Sequence, residues 1–101
     1  MLSLGVLSSS QVANIKGRII SFTWGDNGLV GNASTRTYNA VGGSGTGAQF
    51  TVIRSGGGTN SPVTNVTLAA AGSNYLVGNV LTVTENVSPS DIIQINVTAV
   101  S

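Results

Sequence analysis

The sequence predicts an all-β fold, a small antiparallel β-sandwich or barrel with Gly-rich loops and an extended N-terminal segment. Three observations predict it. Short stretches alternate apolar and polar residues with the period of two of a half-buried strand. Clusters of Gly, Asn, Ser and Pro separate those stretches and mark turns. No segment places apolar residues at i, i+3, i+4 and i+7 over three turns, which an amphipathic helix needs. At 101 residues the chain has the length of one domain with a modest core. It divides into 1–12, an N-terminal arm or edge strand, and 13–101, a single β-domain.

The elements follow in order. Leu2, Leu4 and Val6 alternate, with Leu7 next, before Ser8-Ser9-Ser10. Such a segment serves either as an edge strand of its own domain or as an arm that adds main-chain hydrogen bonds to a neighbour's sheet. Residues 17–24, GRIISFTW, read as a strand with Ile20, Phe22 and Trp24 on one face, ending in Gly25-Asp26-Asn27-Gly28, the chemistry of a tight hairpin turn. Residues 35–41, TRTYNAV, suit an edge or interface strand. In residues 47–54, Ala48, Phe50 and Val52 oppose Gln49 and Thr51. Gly56 to Pro62 then forms a loop joining adjacent strands. Residues 63–68 and 80–84 repeat the strand signal, and Leu68-Ala69-Ala70-Ala71, cut off by Gly72, allows one helical turn at most. The clearest alternation is 92–100, with Ile93, Ile95, Val97 and Ala99 facing one way, preceded by a turn at Ser88-Pro89-Ser90-Asp91.

Within this scheme the stretch 42–84 carries a further pattern. A GxGxGxxF opening (Gly43, Gly45, Gly47, Phe50) leads through two strands to AGSNYLVGNVLTV, residues 71–83. It resembles a β-module of tailed-bacteriophage virion structural proteins, of the marine and cyanophage type, found in capsid decoration, baseplate and tail-fibre proteins. The family closes on Gly-x-Gly-Tyr and a Gly-Asp pair. Here Asn74 replaces the second glycine and Asn79 the Asp, which removes an acidic site but keeps the turn, since Asn tolerates left-handed geometry.

Charged residues make up 7 % of the chain, against about a quarter in ordinary soluble domains. Mixed surface charge is what normally opposes association, so a chain this poor in charge, with 41 % hydrophobic residues, is expected to work assembled. The four basic residues, Lys16, Arg18, Arg36 and Arg54, are spread along the chain, whereas nucleic-acid binding needs them clustered. Cysteine is absent, which excludes disulfides and thiolate metal sites. No apolar run has the length of a membrane span, and the apolar start lacks the basic region of a secretory signal.

Catalytic chemistry finds few groups. There is no histidine, and the acids are Asp26, Glu85 and Asp91. Glu85 and Asp91 bracket a turn and are expected to keep a surface loop solvated, in place of the closely held pair that acid–base catalysis requires. Asp26 with Asn27 falls short of a calcium ligand set. Gly43-Ser44-Gly45-Thr46-Gly47 has the look of a phosphate loop, but a strand follows it where a helix is needed. No catalytic residue, cofactor or metal is expected.

Two functions remain. The resemblance and the charge poverty together lead to a capsid decoration, or cement, protein that binds the major capsid protein or other virion proteins as a homo-oligomer, a dimer or trimer. Its candidate partner contacts are Leu2, Leu4, Val6 and Leu7. The alternative is a tail-fibre or baseplate component contacting host surface glycans, with Trp24, Tyr38 and Tyr75 as stacking platforms.

Overall fold

In the computed structural model, residues 16–85 and 91–101 are described; the arm 1–12 and most of the expected Ser88–Asp91 turn lie outside them. Six strands form two three-stranded antiparallel sheets. They are β1 (Ile19–Asp26), β2 (Ser34–Asn39), β3 (Thr46–Arg54), β4 (Val63–Ser73), β5 (Val80–Glu85) and β6 (Asp91–Val100). One sheet has the order β1-β6-β5 and the other β2-β3-β4. The all-β expectation therefore holds, and the open edges make the fold a small sandwich in place of a closed barrel.

Alternation decides which side chains enter the space between the sheets. Ala48, Phe50 and Val52 of β3, Leu81 and Val83 of β5, and Ile93, Ile95 and Val97 of β6 are all buried. Phe22 of β1 meets Phe50 of β3 edge-on, with ring centroids 5.0 Å apart, so aromatic packing joins the two layers. The long alternating segment at the C-terminal end becomes β6, the middle strand of its sheet, paired with β1 on one side and β5 on the other.

The sheets are stitched at both edges by main chain. On one side Val41 and Thr82 exchange N–H···O bonds of 2.9 and 2.8 Å. On the other, Asn74 and Tyr75 donate to the carbonyls of Lys16 and Gly17 at 2.8 and 3.0 Å, while Gly17 donates to Ser101 at 3.1 Å. These bonds satisfy edge groups that would otherwise invite pairing with other chains.

Three local expectations are corrected. The Asp26–Gly28 segment is not a hairpin turn, because β1 pairs with β6 and β2 belongs to the other sheet. Asp26 Oδ1 instead accepts from Gly28 N at 3.3 Å, an Asx turn that starts the crossing between layers. Ile20 does not share a face with Phe22 and Trp24. Register shifts on either side of Ser21 break the alternation, so Ile19 is buried and Ile20 is 61 % exposed. Residues 68–71 form no helical turn but continue β4, since Ala70 and Ala71 find ladder partners in Gln49 and Ala48 that outweigh the helix preference of alanine.

Candidate functional site

The most structured polar site is internal. Arg54 ends β3 in phase with Phe50 and Val52, so its side chain points between the sheets, where it is almost wholly buried. Every N–H of its guanidinium is used. Nε and Nη2 donate to Glu85 Oε1 at 3.0 and 2.6 Å, Nη2 donates also to Asp91 Oδ2, and Nη1 donates to the carbonyls of Leu29 and Ser61 at 2.9 and 3.0 Å. Tyr38 donates its hydroxyl to Glu85 Oε2 at 3.2 Å. Ser61 is held in turn by reciprocal backbone bonds with Gly31. One cation from β3 thus clamps two carboxylates from β5 and β6, and the interaction crosses from one sheet to the other.

This corrects the expectation that Glu85 and Asp91 solvate a surface loop. Both are buried, and Glu85 pairs directly with Asp91 at the ends of their strands. The arrangement is a latch. Both acids are committed to Arg54, and among the described residues no group of His, Cys, Asp or Glu is assembled to hold a metal.

The latch sets a pH dependence. Burial pushes the Asp91 carboxyl above the ordinary carboxylate range, and the neighbouring Asp26 and Glu85 add to the rise, against the pull of Arg54. The folded chain therefore keeps the Asp91 proton at pH values where the unfolded chain has lost it. The stability this proton brings is complete below the unfolded value of about 3.9 and is lost as pH climbs through the raised folded value. The urea midpoint is expected to fall as pH rises above about 4, and Asp91→Asn is expected to flatten that slope. An identical slope in the variant would show that Asp91 does not carry it. Tyr38 is raised as well, by burial first and then by Glu85, so its hydroxyl stays a donor to that carboxylate.

The surface residues singled out from the sequence are not brought together. Tyr75 is 1 % exposed, and its hydroxyl accepts from Ala48 N at 3.2 Å; it is a core residue, not a platform. Tyr38 packs against the core and spends its hydroxyl on Glu85. Trp24 is half-buried against the same core and also borders a surface groove. Leu2, Leu4, Val6 and Leu7 lie outside the described residues.

The outward faces carry hydroxyls and amides. Thr37 and Thr51 lie 2.8 Å apart across β2 and β3, Gln49 donates to Asn39 at 2.7 Å, and Ser21 meets Thr98 at 2.6 Å. Of the seven charged residues in the chain, Arg54, Glu85 and Asp91 are interior. Lys16, Arg18, Asp26 and Arg36 are the ones left exposed.

Apolar side chains are left in water at one end. The turn from Leu76 to Asn79 closes with Asn79 N bonded to Leu76 O at 3.0 Å. Asn79 Oδ1 accepts from Leu76 N and Ser44 N at 2.9 and 3.1 Å. The preceding Asn74 takes φ +66°, the left-handed geometry that Asn tolerates. Gly42, Gly43 and Gly47 also have positive φ, so the Gly-rich run is a turn leading into β3. Around this pinned corner Leu76, Val77, Val80 and Val41 are all exposed.

No helix among the described residues is long and apolar enough to cross a membrane. No family model, curated protein or solved structure matches the chain.

Proposed function

We propose that this chain is a non-enzymatic structural protein of a tailed-phage virion, a capsid decoration protein that docks on the outer shell as a dimer or trimer and bridges shell subunits. The observation that carries the reading is the surface. With three of seven charges drawn inside, four charged side chains remain to cover a domain of 5668 Å² accessible area. A face of Thr, Ser, Asn and Gln with exposed valines and leucines is little defended against association, and suits a chain that spends its working life bound. Small contacts of this kind gain strength from repetition over a lattice of identical sites. The phage-type pattern in 42–84 supports the same reading, as does the engagement of two of the three acids by Arg54.

The apolar corner of Val41, Leu76, Val77 and Val80 is the described surface best suited to the shell contact. The test is the copy number of the chain in purified virions, measured by quantitative peptide mass spectrometry against the major capsid protein. Parity with the shell protein is expected, and Leu76→Asp is expected to lower it without changing the unfolding midpoint. A copy number far below the shell protein would overturn the capsid reading and move the protein to the tail or baseplate.

A further inference from the structure

The outward face of the β1-β6-β5 sheet is interrupted at Gly25. This residue lies directly opposite Gln94 in the ladder, and nothing stands within 4 Å of the place its Cβ would occupy. The bare backbone of Gly25 lies in the floor of an open surface groove of about 520 Å³, bordered by Trp24, Asp26, Asn27, Ile92, Gln94 and Asn96, a volume within the usual range of small-ligand sites.

The chemistry of the lining is specific in kind. Gln94 and Asn96 project from the same face of β6 by the alternation that buries Ile93 and Ile95, and Asn27 adds a third amide just beyond β1. Among the described residues none of these three side chains makes a hydrogen bond within the protein, in contrast to Gln49 and Asn39, which satisfy one another on the opposite sheet. Each free amide offers two N–H donors and a carbonyl acceptor, a set that answers hydroxyls acting both ways. No lysine or arginine lines the groove, so an anionic ligand would find no counter-charge. Ile92, half-exposed on the same face of β6 as Gln94 and Asn96, supplies apolar surface against which C–H groups can pack.

We propose that this groove binds a neutral oligosaccharide, its hydroxyls held by the amides of Asn27, Gln94 and Asn96. The site is independent of the capsid reading, since it lies on the sheet face away from the core and needs no second protein.

The test is a ¹H–¹⁵N titration of the full chain with maltohexaose, cellohexaose, mannohexaose and chitohexaose at millimolar concentration, with tri-galacturonic acid as the anionic comparison. Saturable shifts confined to Gly25, Asn27, Gln94 and Asn96 with at least one neutral sugar are expected. Gly25→Val raises a branched side chain from the groove floor, at a strand position with open space around it and where valine is favoured, so the variant is expected to fold and to weaken the shifts strongly. Gln94→Ala and Asn96→Ala are each expected to weaken binding about tenfold, and they decide the question if Gly25→Val should fail to fold. The proposal is overturned if no neutral sugar shifts these residues, if the shifts are unchanged in Gly25→Val, or if only the anionic sugar binds.

Discussion

Arg54→Ala is expected to leave the chain largely unfolded at room temperature. The substitution removes all five guanidinium hydrogen bonds at once, and it leaves Glu85 and Asp91 buried without a cation. Breaking a buried ion pair from one side costs about 3–5 kcal/mol. The Leu29 carbonyl loses its donor as well, while the Ser61 carbonyl keeps Gly31 N, and an unsatisfied acceptor taken out of water adds about 1–3 kcal/mol. A domain of this size has about 5–15 kcal/mol in total, so most of the stability goes. Chemical denaturation followed by circular dichroism measures the loss. Arg54→Lys is expected to fall between, because a point charge cannot repeat the planar fork that reaches both carboxylates. Replacing the trio together, Arg54→Met with Glu85→Leu and Asp91→Leu, is expected to restore most of the loss, since no buried charge is then left alone. Native-like stability in Arg54→Ala alone would show that the latch does not hold the sheets together.

The latch was legible in the sequence by phase, although charge alone pointed elsewhere. Arg54 continues the series Ala48, Phe50, Val52, Glu85 continues Leu81, Val83, and Asp91 begins Ile93, Ile95, Val97. All three fall on the inward parity of otherwise apolar faces, and only mutual pairing permits that. What no local pattern could give was that the three strands converge, because β3 lies in one sheet and β5 and β6 in the other. The strand positions themselves followed from period and turn residues, since the hydrophobic face of each strand depends on its own alternation. The failures fell where pairing partners decide the outcome. Ser21 interrupts β1 only by its register against β6, and the alanine run is extended only because β3 lies beside it. The groove at Gly25 was out of reach for the same reason, since Gln94 and Asn96 lie far along the chain and meet it only through the β1–β6 pairing.

Gly72→Ala is expected to be severely damaging for a single added methyl, costing about 3 kcal/mol or more. Gly72 sits near the end of β4 with φ +63°, a conformation that costs an L-residue about 1–2 kcal/mol. Lack of space costs more than the backbone angle. A Cβ there would meet the Thr46 carbonyl oxygen, the Tyr75 ring at 2.6 Å and the Ala48 nitrogen at 2.8 Å, and two of these three are main chain that cannot swing aside. Relief requires β4 to move off β3 or the Tyr75 ring to leave its place. Either motion breaks the bond between Ala48 N–H and the Tyr75 hydroxyl, stranding a buried donor. It also disturbs the corner where Asn74 and Tyr75 hold the Lys16–Gly17 main chain, and with it the seam between β4 and β1. Gly28→Ala separates the two contributions, because Gly28 has φ +79° with nothing within 4 Å of its missing Cβ and so suffers the backbone cost alone. Unfolding midpoints of the two variants, together with hydrogen exchange at the Ala48 amide, measure the difference. Equal losses in the two, with the Ala48 amide still protected in Gly72→Ala, would mean that the Tyr75 corner yields to an added methyl and is not the rigid joint between the sheets.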